Sequence, residues 1–397
     1  MHIAIKISLD EFTKRVENPE ISPASLTGDN HLPGHEEARG ILLKLKMHLQ
    51  VVINQDHAIT IIREMPKTEL HIHLEGAVPL ATLLQLIQRH GDSESEMTMD
   101  CLKSRFTYAD FTDFIDAWVW KNTFIKDEKD FEEIAYQTLQ QLSVQHVKYV
   151  EAFYSPGDYR RQGLSVEGIT ESLIAGKERA RQEFGIRSEL IVDLTRDHGP
   201  EVGIRRIDEV TPYLGKGVIG IGLGGSEKEY PADPYEFAYN EAKQRGFRLT
   251  VHAGEAAGAN SIWAAIKKLQ AERIGHGVRL KEDPQLMRFL QQSQIPLEMC
   301  VGSNLSTKVV ESLSSHPIKE YFDNGLMVTV NSDDPTMFNT SITQEYELLV
   351  KKLGFTLADI QQLMLNGIHS SFLTDEEKQQ MKEDFNKEWL RLMDTSI

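Results

Sequence analysis

From Lys67 onward, short runs of apolar and β-branched residues alternate with longer stretches whose apolar positions recur every three to four residues. Strands buried on both faces read as near-continuous apolar runs, and the helices that cross between them as one-sided stripes. Eight such runs occur: TELHIHL, VKYVEAFY, SELIVDL, VIGIGL, RLTVHA, AERIGH, IPLEMC and LMVTVNS, each followed by enough chain for at least one helix. Eight strands with eight crossovers predict an α/β fold, a closed (β/α)8 TIM barrel spanning 65–397. Residues 1–64 read as an N-terminal arm rather than an independent domain. They comprise a short apolar start, the polar stretch NPEISPASLTGDNHLPGHEE, and a run from Ala38 to Arg63 with helical spacing.

Two stretches exceed what a minimal barrel needs. The first crossover, about Gly76 to Gln145, is too long for one helix, and in it Phe111, Phe114, Ile115, Trp118 and Phe124 recur at helical spacing. It predicts an extended region over the barrel mouth, either plain core packing or a substrate-facing lid. Residues 343–395 read as additional C-terminal helices that close the barrel.

Composition narrows the class. A chain of 397 residues with 40% hydrophobic and 26% charged residues buries a large core. A formal net charge of −17 repels phosphate backbones, so the expected partner is a small molecule rather than nucleic acid. Only Cys101 and Cys300 are present, which indicates neither a disulfide scaffold nor a thiolate metal site and fits a reducing cytoplasm. No apolar run approaches the roughly 20 residues of a membrane span, and MHIAIKISLDEF meets Asp10 and Glu11 too early for a signal peptide. A cytoplasmic location is expected.

The candidate chemistry lies at strand ends, where side chains of such a barrel converge. In His71-Ile72-His73 alternate residues share a face, so both imidazoles point toward one ligand. The fifth strand ends in Val251-His252-Ala253-Gly254-Glu255, the sixth in Gly275-His276-Gly277, and the eighth in Asn331-Ser332-Asp333-Asp334-Pro335. Taken singly, His252 reads as a core histidine, His276 as a turn residue and the Asp pair as a solvated cap. Together, several imidazoles and a carboxylate are ligand types that suit zinc, whereas calcium and magnesium favour oxygen-rich sites.

HIHLEG, VHAGE, RIGHGV and VNSDDP stand in this order from about Pro66 to Leu373, and in this the chain resembles the adenosine/adenine deaminase family of amidohydrolases. The segment VHAGEAAGANSIWAAIKKLQAERIGHGVRL is similar to bacterial adenosine deaminases in particular. The resemblance implies that His71, His73, His252 and Asp333 bind one zinc per subunit, which lowers the pKa of its water toward about 7. It implies further that His276 orients and helps deprotonate that water, that Glu255 protonates purine N1, that Asp334 bonds N7, and that the Gly225 amide meets N3. The implied reaction is deamination of adenosine and 2′-deoxyadenosine to the 6-oxo purine and ammonia, in purine salvage. One position departs from the family's HxHxDG: this sequence has Glu75, where the family's Asp contacts the ribose 5′-hydroxyl. That keeps adenine and 6-aminodeoxyfutalosine open as alternative substrates.

Three other classes fit less well. Binuclear amidohydrolases place a carboxylated lysine on the fourth strand, but Lys216 precedes VIGIGLGG rather than following it. Thiolate-ligated nucleobase deaminases require a CxxC that is absent. A non-catalytic binding protein on the same fold would be signalled by a lost ligand, and none is missing.

Overall fold

The computed structural model describes residues 55–91 and 96–395. The expected arm therefore lies outside the described residues, apart from a helix over 55–64. In that helix Ala58, Ile59, Ile61 and Ile62 are buried in the main core.

All eight anticipated strands form. They are β1 (Lys67–His73), β2 (Val147–Tyr154), β3 (Arg187–Asp193), β4 (Val218–Gly222), β5 (Arg248–Ala253), β6 (Arg273–His276), β7 (Leu297–Met299) and β8 (Val328–Val330). They lie side by side in sequence order, and every neighbouring pair is parallel. The last three are shorter than their apolar runs, because side chains and single bonds take over from the ladder at the rim. Closure between β8 and β1 shows this: Leu70 N–H donates to Asn331 Oδ1 (3.1 Å). Beyond it, Asp333 N–H donates to the His71 carbonyl (3.0 Å) and His73 N–H to the Asp333 carbonyl (3.0 Å). The residue that seals the ring thus carries a candidate ligand.

The C-terminal helices Ile342–Lys352, Leu357–Ser370 and Asp375–Thr395 match the expectation. Helix Leu357–Ser370 lies against β1 and β8, with Asn366 Nδ2 donating to the Val328 carbonyl (2.9 Å). Gly367 allows that approach, since a Cβ there would lie 2.1 Å from Thr68 Oγ1.

Among its described residues the long first crossover holds four helices, Leu80–His90, Met99–Ser104, Phe111–Asn122 and Glu128–Ser143. Asp110 starts the third by accepting from the N–H groups of Thr112 (2.8 Å) and Asp113 (3.0 Å), satisfying donors that a helix start leaves free. This helix both packs and faces the cavity. Phe114 stacks on Phe338 with ring centroids 5.0 Å apart, while Phe114, Ile115, Trp118 and Val119 line the cavity over the barrel mouth. Among the described residues, no helix is long and apolar enough to cross a membrane.

Candidate active site

A cavity of about 870 Å³ opens at the C-terminal ends of the strands, lined at its floor by His73, His252, Glu255, His276, Asp333 and Asp334. Ligand atoms of His71, His252, His276 and Asp333 all lie within 4.8 Å of one another. His73 joins them, its Nε2 3.1 Å from His252 Nε2 and 3.4 Å from Asp333 Oδ1. All four histidines and Asp333 are buried.

The local backbone is bent to make this possible. His276 (φ 61°) and Asp333 (φ 63°) occupy the left-handed region, which non-glycine residues adopt at a cost that the surrounding structure must offset. Gly275 makes room for His71 beside His252, since a Cβ there would lie 2.8 Å from His71 Cε1 and 3.2 Å from His252 Cα.

Electrostatics favour a cation. Burial pushes His73 down to about 3 and His276 to about 4. His252 is also driven well below its usual value, first by burial and then by the neighbouring imidazoles. Uncharged imidazole is the form that binds metal. Burial opposes ionisation of Asp333, but His71, His276 and His73 hold its carboxyl far below the usual range. His71 is oriented from behind: its Nδ1 lies 2.7 Å from Glu298 Oε2, and an ionised carboxylate only accepts, so Nδ1–H donates. Burial would lower His71, yet Asp333 and Glu298 outweigh it and raise it to about 10. Its Nε2 is buried without a hydrogen-bond partner, although it faces Asp333 Oδ1 at 3.6 Å. An imidazole whose outer N–H is held by a carboxylate and whose inner nitrogen is unpartnered fits a zinc ligand.

Glu298 belongs to a chain of charges inside the barrel. Arg273 Nε donates to Glu298 Oε1 (2.5 Å) and its Nη1 to Glu151, so β1, β2, β6 and β7 are tied beneath the site. Glu227 organises the other side, its carboxylate accepting backbone N–H bonds from Gly254 (2.6 Å), Glu255 (3.1 Å), Ala256 (2.7 Å) and Ala257 (2.8 Å). The buried guanidinium of Arg196 donates to the carbonyls of Gly224 (3.2 Å), Leu223 (3.3 Å) and His252 (2.7 Å), joining β4 to β5. None of these residues was marked by local spacing. The available signals were an acid inside the apolar run IPLEMC and the Glu that ends GLGGSE.

The remaining expected residues divide. Glu255 faces His276 Nε2 at 3.7 Å, and burial, then Asp333 and Glu227, push its carboxyl well up. Asp334 is pushed up in the same way by burial and by Asp333, and its Oδ1 is buried without a partner. Gly76 makes room for it, because a Cβ there would fall 1.6 Å from Asp334 Oδ1. Gly225 lines the cavity with φ +93°, and a Cβ there would lie 2.2 Å from Asp197 Oδ2. Glu75 does not join them. It is buried beside the cavity, with Oε1 accepting from Ser155 N–H (2.8 Å).

Comparison with known proteins accords with this geometry. The family profile described as adenosine deaminase matches residues 66–388. The chain is 34% identical over 328 residues to an adenosine deaminase of Aliivibrio fischeri, covering 81% of this chain and 98% of that one. It is 32% identical over 326 residues to an adenine deaminase of Crocosphaera subtropica, covering 81% and 98%. The crystal structure of an adenine deaminase from Arthrobacter aurescens superposes with a TM-score of 0.79 at 29% identity, covering 82% of this chain and 99% of that one. An eight-stranded barrel, a buried His and Asp cluster at its strand ends and a match across most of the sequence agree: this chain belongs to the adenosine/adenine deaminase family of the amidohydrolase superfamily.

Proposed function

We propose that this protein catalyses zinc-dependent hydrolytic deamination of an adenine nucleoside, with adenosine and 2′-deoxyadenosine as preferred substrates. The observation that carries this reading is the convergence of His71, His73, His252, His276, Glu255 and Asp333 at one end of the barrel, on the floor of a cavity large enough for a nucleoside. His71, His73, His252 and Asp333 would hold the zinc, which supplies the Lewis acidity that makes a hydroxide equivalent available at neutral pH.

The protein's own groups supply the rest. Glu255, whose carboxyl is pushed toward its protonated form, stands as the proton source for ring N1, so that C6 accepts the oxygen of water while electrons move into the ring. Asp334, likewise pushed toward the neutral acid, offers an O–H to N7. The backbone N–H of Gly225 meets N3, a role that needs a residue without a side chain. Water adds at C6, the amino group leaves as ammonia, and the 6-oxo purine remains.

A second reading has its own support at the outer wall. Arg160, Arg161, His198 and Arg206 line the cavity away from the floor, and Arg206 Nε and Nη2 are buried without partners. Those groups suit an adenine compound with an acidic substituent on the sugar side, such as 6-aminodeoxyfutalosine. The deciding experiment compares kcat/KM for adenosine, 2′-deoxyadenosine, adenine and 6-aminodeoxyfutalosine on zinc-loaded protein. The two nucleosides are expected to lead. Preference for free adenine would overturn the nucleoside assignment, and preference for 6-aminodeoxyfutalosine would establish the second reading.

A further inference from the structure

Asn304 and His316 are buried beside the site but do not line its cavity. They form a chain of hydrogen bonds whose direction is fixed from its far end. The backbone N–H of Ile318 points at His316 Nδ1 (3.3 Å), and an amide N–H only donates. His316 Nδ1 is therefore an acceptor, and the ring's proton is on Nε2, 3.2 Å from Asn304 Oδ1. That contact sets the otherwise ambiguous orientation of the Asn304 amide, because the reverse orientation would face one donor with another. Asn304 Nδ2 then faces His276 Nδ1 at 3.1 Å. An amide NH₂ also only donates, so His276 Nδ1 accepts and carries no proton. The proton of the His276 ring is on Nε2, which points into the site 3.7 Å from Glu255 Oε2 and 3.8 Å from Asp333 Oδ2.

We infer that His316 and Asn304 are positioning residues that lock His276 as its Nε2–H tautomer, so that His276 presents a hydrogen-bond donor to the site and not a lone pair. This separates two imidazoles whose ring centroids are only 4.9 Å apart. His71 spends its Nδ1–H on Glu298, which leaves Nε2 as the atom that would meet the zinc, whereas His276 accepts from Asn304 and turns an N–H inward. His276 is then neither a zinc ligand, despite its place within the 4.8 Å cluster, nor a base that removes a proton from water. It orients the incoming oxygen by donating to it. The role given to that donor rests on the proposed deamination, but the tautomer does not.

Long-range ¹H–¹⁵N NMR of histidine-labelled protein reads the tautomer directly, in zinc-loaded and metal-free samples, with His276→Gln assigning the signal. The expected pattern is an unprotonated Nδ1 and a protonated Nε2 in both samples. A protonated Nδ1 in the zinc-loaded protein overturns the inference, and this measurement needs no variant to fold. Asn304→Asp replaces the donor by an acceptor of nearly the same shape. It is expected to move the proton to Nδ1 and to lower kcat by about 10–100-fold, the usual range for such supporting partners, with zinc content and KM nearly unchanged. An Asn304→Asp protein that keeps both the Nε2–H signature and full kcat also overturns it. A protein with the expected tautomer that deaminates no adenine compound would refute the functional reading and leave the lock standing.

Discussion

The floor of the cavity and its outer wall are built differently. The floor hangs from β1, β5, β6 and β8, every one of its titratable groups is buried, and its histidines are gripped from behind by partners such as Glu298 and Asn304. The outer wall comes from helix Phe111–Asn122, the 3-10 turns Pro156–Gln162 and Arg196–His198, and helix Pro200–Val210. It exposes Arg160 and Arg161, together with Val119 at 58%. Chemistry that needs atoms held within a fraction of an ångström is placed on strands, while selection of what enters is left to helices and turns that vary without disturbing the barrel.

That division gives graded consequences. The largest effects belong on the floor. Asp333→Ala should lose bound zinc and deaminase activity together, measured by metal analysis and ammonia release. Glu255→Gln should keep its zinc and lose about 10²–10⁴-fold in kcat, the range of a lost general acid; near-wild-type turnover with zinc bound would remove Glu255 from the mechanism. One step back from the floor, Glu298→Gln should weaken zinc binding by about 10–100-fold in a chelator competition. It should also lower stability, because Arg273 is left with one carboxylate partner in place of two.

On the outer wall the effect should fall on KM. Trp118 lines the cavity and meets His73 edge-on at 6.1 Å, so Trp118→Ala is expected to raise KM about tenfold, an apolar-contact loss of roughly 1.4 kcal/mol, with kcat little changed. A loss confined to kcat would show that this helix aligns the catalytic groups.

The smallest effect concerns a buried acid away from the chemistry. Burial raises Glu345 to about 7, against hydrogen bonds from Thr340 and Gly302 that lower it. A carboxyl with a raised folded-state pKa contributes stability that is complete below its unfolded value near 4.5 and is lost as pH rises through about 7. Glu345→Gln should flatten the decline in Tm between those pH values without changing zinc content.

The floor was legible in the sequence for a physical reason. A strand's two-residue period and a barrel's single active end turn His71-Ile72-His73 or Asn331-Ser332-Asp333-Asp334 into statements about direction. Their partners were not legible. Glu298 reaches His71 from the seventh strand to the first, and Asn304 reaches His276 from a separate helix, and no local spacing encodes a contact across the ring. Glu75 shows the limit within a motif. HIHLEG located the residue but not its partners: one carboxylate oxygen takes the Ser155 N–H, while the other is buried without a hydrogen bond. The strand runs also overstated β7 and β8, since apolar composition extends past the last ladder bond.

Asp333 completes the ring with its backbone and the histidine cluster with its side chain. A chain lacking the eighth strand would have neither a shut barrel nor a full ligand set, so bound metal would double as a check that the barrel is closed.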